Sequence, residues 1–253
     1  MKYCINILEI KDLCVQAGGK NLLNHLNLTI PNGEVHALLG QNGSGKTSLM
    51  MTIMGFSGYT VTQGQILYKG QDITKLDVCE RAQIGIAIAQ QRPSTIDGVK
   101  LRSVLRYILR NEENPEEKLV ELAQTANMEG FLDRNVNDGL SGGEIKRAEL
   151  LQLLAMSPAF SMMDEPDSGV DIESLTLVGD LINKLFSPDE KRKAKRNSGL
   201  IITHSGSILQ FFNIDKAHVM RDGSIGCSGN PAIILDTISK YGYEECVRCI
   251  GGQ

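Results

Sequence analysis

The stretch Gly40-Gln41-Asn42-Gly43-Ser44-Gly45-Lys46-Thr47 constrains this chain more than any other. It fits the pattern Gly, four residues, Gly-Lys-Ser/Thr. It stands between a short apolar run, Val35 to Leu39, and a helix-forming stretch, Lys46 to Met54. A buried strand, a glycine loop and a helix in that order form a phosphate cradle, a P-loop. The glycines let backbone N–H groups approach phosphate oxygens with no Cβ in the way. The helix that follows turns its positive end toward the same anion. Lys46 is therefore expected to bridge the β- and γ-phosphates of a nucleoside triphosphate, and the Thr47 hydroxyl to ligate Mg²⁺. Ser48 completes the binding stretch. A chance glycine turn carrying a lysine would lack both flanking elements.

The rest of the chain supplies the elements such a loop needs. Ile5 to Ile10 and Leu26 to Ile30 alternate apolar and polar residues, as strands of a half-exposed antiparallel sheet do. Pro31-Asn32-Gly33 reads as a turn. Ile84 to Ala89, Ala159 to Met163 and Leu200 to Thr203 are candidate buried strands, and Ile172 to Phe186 a helix. Between Arg92 and Gly139 the pattern changes. Leu101 to Arg110 and Glu116 to Ala126 carry helical spacing, with no strand signal. The expected architecture is an α/β core, 1–91 and 140–253, with an antiparallel β-subdomain and an inserted helical subdomain, 92–139. The basic run Lys191 to Arg196, beside Asp189 and Glu190, reads as a solvated loop.

Ala159 to Glu165 supplies a second half to the phosphate site. An apolar strand ending in Asp164 would hold that carboxylate where it can reach Mg²⁺. Glu165, one residue further, would polarise the attacking water. Many strands end in acids, so the P-loop upstream is what gives this pair its meaning.

Leu140-Ser141-Gly142-Gly143-Glu144, beyond the helical insert, resembles the signature of ATP-binding cassette (ABC) ATPases. The other stations of that family follow in order: Gln91 for the Q-loop, Ser168-Gly169-Val170-Asp171 for the D-loop, and His204 closing an apolar strand. The resemblance spans nearly the whole chain. It implies an ABC-type fold, hydrolysis of ATP with Mg²⁺, and a metal held by Thr47, Gln91 and Asp164. It also implies catalytic roles for Glu165, His204, Lys46 and Gln91. Two copies would face head to tail, each P-loop closing its ATP against the partner's Leu140 to Glu144. In physical terms, Ser141 and the N–H groups of Gly142 and Gly143 open a helix and make an anion site. Because ATP glues the halves, the isolated chain is expected to be a monomer.

Finer text resembles SufC, the ATPase of iron–sulfur cluster assembly. It comprises Arg134 to Gly139, Glu144-Ile145-Lys146-Arg147, Asp164 to Asp171 with Asp167 where many transporter ATPases have Thr, and Tyr241-Gly242-Tyr243. That likeness implies a SufB- or SufD-like scaffold as partner. The alternatives are the ATP-binding subunit of a membrane transporter and a soluble ABC protein of translation or DNA repair. Single-cassette length and the lack of a coiled coil speak against the last.

The balance of 26 basic and 30 acidic residues, with no Trp and 5% aromatics, argues against a nucleic-acid partner. No apolar run is long enough for membrane insertion. Met1 to Asp12 has no signal-peptide pattern, so a cytoplasmic location with six reduced cysteines is expected. Cys246-Val247-Arg248-Cys249 offers only two ligands where a closed metal site needs four, and reads as thiols on a terminal helix. Many ABC ATPases stack adenine on an aromatic residue upstream of the P-loop. Here Ala17 takes that place, which predicts weak affinity or loose base selectivity.

Overall fold

The computed structural model describes residues 6–187, 197–204, 206–211 and 213–250. The basic run 191–196 therefore lies outside the described residues. In chain order the elements begin with β1 (Asn6–Ala17), β2 (Lys20–Pro31), β3 (Val35–Leu39), α1 (Lys46–Met54), β4 (Thr60–Tyr68) and β5 (Gln71–Asp72). There follow α2 (Val78–Gln83), β6 (Ile86–Ala89), β7 (Ile96–Lys100), α3 (Leu101–Ile108), α4 (Pro115–Thr125) and β8 (Asn135–Val136). Then come α5 (Gly142–Met156), β9 (Phe160–Asp164), α6 (Ile172–Phe186), β10 (Ser198–Ile202), β11 (Lys216–Arg221), β12 (Ser224–Gly229) and α7 (Pro231–Ile250). Gly242, at φ 81° and ψ 174°, breaks α7 into two helical segments.

The alternation read in the first thirty residues becomes a four-stranded antiparallel sheet, ordered β2-β1-β4-β5. Leu26, Leu28 and Ile30 are buried while Asn27 and Thr29 between them are exposed. The continuous apolar runs become a six-stranded sheet, β12-β11-β3-β10-β9-β6, parallel except for β12. Strands covered on both faces have no polar side to show, which is why β3, β9 and β10 are buried at every position.

Period two then divides each of these strands between two cores. Leu38, Met162 and Leu200 join Leu8, Ile30 and Leu49, between the two sheets and α1. Their neighbours Ala37, Met163 and Ile201 join Leu151, Val178, Leu105 and Leu122 on the helical side. At about 1.5–3 kcal/mol for each fully buried large side chain, both layers contribute heavily, and a one-residue slip would exchange them.

The insert differs from its expectation. Besides α3 and α4 it contains β7, paired antiparallel with β8. All five residues of β7 are exposed and β8 has two residues, so neither alternation nor an apolar run could announce them. Strands β11 and β12 also escaped notice, because the polar His218 is buried within β11. Among the described residues no helix is long and apolar enough to cross a membrane.

Candidate nucleotide site

The loop between β3 and α1 is shaped by what it cannot accommodate. Gly45 caps α1 at φ 107°, a left-handed conformation that L side chains rarely adopt. A Cβ there would meet Leu22 O at 3.0 Å and Met220 Cε at 2.9 Å. Lys46 Nζ donates to the carbonyls of Gly40 at 2.8 Å and Gln41 at 3.0 Å. Burial pushes its ammonium pKa down, against the raising charges of Glu165 and Asp164. Ser44 Oγ is buried without a hydrogen-bond partner among the described residues. A loop with a dehydrated cation and an unsatisfied hydroxyl is set to receive an anion with several acceptor oxygens.

At the end of β9, Thr47 Oγ1 donates to Asp164 Oδ2 at 2.9 Å. Burial raises the Asp164 pKa, and the Thr47 bond opposes it. A hydroxyl and a carboxylate form the start of an oxygen set that fits a hard divalent cation such as Mg²⁺.

Glu165 follows in a left-handed backbone conformation, φ 47°, fixed by its N–H donating to Ile202 O at 2.9 Å. Such a conformation costs a non-glycine residue on the order of 1 kcal/mol or more and persists only where surroundings enforce it. The kink turns the carboxylate to meet Gln91 Nε2 at 2.5 Å and His204 Nδ1 at 3.2 Å. The amide of Gln91 thus holds Glu165 rather than the Thr47–Asp164 pair.

Lys46, Thr47, Gln91, Glu165 and His204 share one cleft of about 700 Å³, lined also by Asn21, Leu22, Asn24, Asn42, Gly43, Gly45, Ser48, Asp222 and Gly223, whereas Ser44 and Asp164 are not among its walls. Leu140 to Glu144 are not among its walls. Ser141 instead begins α5 with a capping box, its Oγ accepting from Glu144 N while Glu144 accepts from Ser141 N. The signature glycines have a packing role that the sequence did not reveal. A Cβ on Gly142 would sit 2.1 Å from Gly169 O, and one on Gly143 would sit 2.8 Å from Ser174 Cβ. The D-loop is therefore pressed onto the start of α5. Asp171 caps α6 through Ser174 N at 2.8 Å, and Ser168 N donates to Glu165 O at 3.0 Å.

Two residues of α5 have a role at this site that the sequence reading did not assign. Lys146 Nζ donates to the carbonyls of Gln90 and Gln91 at 2.7 and 3.0 Å, while Glu149 accepts from Gln90 N at 3.0 Å. The two side chains, 3.6 Å apart and buried, clamp the segment carrying Gln91 to α5. Burial raises the Glu149 carboxyl to about 7, with Lys146 acting against it. One clue was their i, i+3 spacing on a helix that buries its polar residues. Cys246 is a thiol on the terminal helix, as expected. Its thiol is buried, with Sγ 3.7 Å from Cys227 Sγ, and the Cys249 side chain lies outside the described residues. Among the described residues no three His, Cys, Asp or Glu side chains group to hold a metal.

The ABC transporter family profile matches residues 23–168. The chain belongs to the ABC transporter family. It is 38% identical to a probable ABC transporter ATP-binding protein of Streptococcus pyogenes serotype M18, covering 98% of this chain and 97% of that protein. With a probable ATP-dependent transporter of Synechocystis sp. it shares 39% identity over 94% of each chain. Among solved structures, an ATP-binding cassette of an ABC transporter superimposes with a TM-score of 0.77 at 25% identity, covering 95% of this chain and 98% of that one. As an ABC ATPase domain, the chain binds ATP with Mg²⁺ and hydrolyses it. These relatives carry transporter names, which favour the transporter reading over the scaffold one.

Proposed function

We propose that two copies of this chain close head to tail on ATP and that hydrolysis drives a separate partner. The observation that supports this most is the position of Glu165. Its carboxylate is braced by Gln91 and His204 in the same cleft that Lys46 and Thr47 line. Water attacks the γ-phosphate in line, oriented by Glu165, which accepts its proton, and by His204. Lys46 and the loop amides take up the negative charge that spreads over the phosphate oxygens. Thr47 and Asp164 would hold Mg²⁺, joined by Gln91 if its amide leaves Glu165, and the metal would supply further neutralisation of those oxygens.

Glu165→Gln is expected to keep ATP binding while kcat falls by about 10² to 10⁴. Turnover within a few-fold of the parent would remove Glu165 from this role. The absence of Leu140 to Glu144 from the cleft walls supports a shared site, in which a second copy supplies them. Turnover should then rise steeply with protein concentration and fall on replacing Ser141. Constant specific activity on dilution would count against sharing.

For the partner, the relatives' names support a membrane transporter in which this chain is the ATP-binding subunit. A second reading, a cytoplasmic SufB- or SufD-like scaffold of iron–sulfur cluster assembly, draws on Asp167 and Tyr243. Both carry the resemblance to SufC and both touch the loop of His204, Asp167 through Thr203 Oγ1 at 3.4 Å and Tyr243 through His204 O at 3.1 Å. Affinity purification from separated soluble and membrane fractions decides between them. An integral membrane partner supports the transporter, and a soluble scaffold supports the second reading.

A further inference from the structure

The second segment of α7 does more than close the sheet. After the break at Gly242, Tyr243 is half-buried, and its phenolic oxygen donates to the backbone carbonyl of His204 at 3.1 Å. On its other side Tyr243 lines a cavity of about 250 Å³ together with Gln41 to Ser44 of the P-loop, and burial raises the pKa of the phenol. One side chain thus stands between the phosphate loop and the loop that carries His204.

Its own position is fixed from behind. Cys246, one turn further along, is fully buried against Cys227 of β12. Val247 packs so closely on Gly226 that a Cβ there would meet Val247 Cγ2 at 2.9 Å. Arg221 and Glu244 approach at 3.9 Å at the rim. The phenol is therefore held by a packed helix, while the side chain of His204 is 54% exposed.

We propose that Tyr243 is a positioning residue for hydrolysis, its hydroxyl setting the His204 loop relative to the P-loop so that the His204 ring meets Glu165. This rests on the reading of His204 as a group that acts on the attacking water. The ring of Tyr243 contributes packing and the hydroxyl contributes registration, and Tyr243→Phe separates the two.

The test measures kcat and KM for ATP, equilibrium ATP binding and the thermal midpoint in four full-length chains: the parent, Tyr243→Phe, His204→Ala and the double variant. Loss of one hydrogen bond that acts through His204 predicts a kcat lower by about fivefold in Tyr243→Phe, with KM, binding and thermal midpoint unchanged. His204→Ala should lose on the order of 10² or more, and adding Tyr243→Phe to it should cost nothing further, since coupled groups are not additive. Three outcomes overturn the inference. If Tyr243→Phe keeps full kcat while His204→Ala does not, the inference alone falls. If the fivefold loss recurs in the His204→Ala background with a lowered thermal midpoint, the hydroxyl is only structural. If His204→Ala itself turns over at the parental rate, the underlying reading of His204 fails, and this inference with it.

Discussion

At the phosphate end of the cleft one contiguous stretch, Gly40 to Ser48, supplies nearly every group. The base end is assembled from Asn21, Leu22 and Asn24 of β2 and from Asp222 and Gly223 of the β11–β12 turn. The first end is strained, dehydrated and charged. The second is more open, with Asn21, Asn24 and Asp222 exposed and only Gly223 buried, and it is tied together by its own bonds: Asn24 Nδ2 donates to Asp222 O at 2.9 Å and Asn24 N to Gly223 O at 3.0 Å. The contrast teaches that binding energy and chemistry are concentrated on the triphosphate, while the base end mainly confines the nucleotide. Each prediction below presses on one side of that contrast.

The largest effect is expected where buried charge does the work. Lys46→Ala removes a cation whose burial already disfavours its charge and whose partners are the loop's own carbonyls. The kcat/KM for ATP should fall by about 10³, since a preorganised charge in a dry site is among the largest contributors to such a reaction. A loss below tenfold, measured by phosphate release, would mean that the phosphate end is not the dominant end.

Next comes the rigid frame around it. A methyl at position 142 would lie 2.1 Å from Gly169 O, a backbone atom that cannot swing aside. Gly142→Ala should destabilise the chain by about 1–3 kcal/mol, as overpacking does, and lower its denaturant midpoint. The equivalent change at exposed Gly130, where a Cβ meets nothing within 4 Å, serves as control. Equal midpoints for the two variants would show that the D-loop is not pressed onto α5.

A smaller effect comes from beneath the base end. His36 on β3 and His218 on β11 are buried and joined by a 2.9 Å ring-to-ring hydrogen bond. The outer nitrogen of His36 meets Glu34, and that of His218 meets Ser228 Oγ. Burial first, and the His36 charge second, push the His218 pKa down to about 3. The unfolded chain takes up this proton near pH 6.5 and the folded chain does not. The contribution to stability is therefore complete above about 6.5 and declines as pH falls from there toward 3, by about 1.4 kcal/mol per unit for one such group. Thermal midpoints at pH 7.5 and 5.5 should differ accordingly, and His218→Gln should narrow the gap. No narrowing would mean that the pair is not held neutral.

What was legible in the sequence follows the same division. Strand β3 and helices α1 and α6 appear where the pattern put them because their signals are local: apolar runs, a glycine loop and helical spacing. Lys46, Thr47, Asp164, Glu165 and His204 could be named because each sits at a fixed offset within such a segment. The Lys146 clamp on Gln90, the Tyr243 bond to His204 and the Asn24 bond to Asp222 could not. These partners lie 39 to 198 residues apart in the chain, and only the folded sheet order brings them together. The Gly142 contact was hidden for a related reason. An anion site and a close backbone approach both demand glycine, and the letter alone does not say which.

The smallest effect concerns the base itself. Ala17 takes the place of the expected aromatic stacking partner, and the polar groups that stand at the base end are already engaged. The Asn21 carbonyl accepts from Gln16 Nε2 at 2.7 Å, Asn24 is committed to Asp222 O, and the Asp222 carboxylate faces Arg221 Nε at 3.3 Å. Strong discrimination between bases needs polar groups that are left unpaired by the wrong one. Here they pair with the protein whichever base arrives. ATP and GTP should therefore differ in kcat/KM by less than about tenfold, roughly the scale of one modest contact. Asn21→Ala should change either value by no more than a few-fold. A preference for ATP of several hundredfold would show that the base end reads its ligand after all, through groups such as the exposed Asp222 carboxylate exchanging Arg221 for the base.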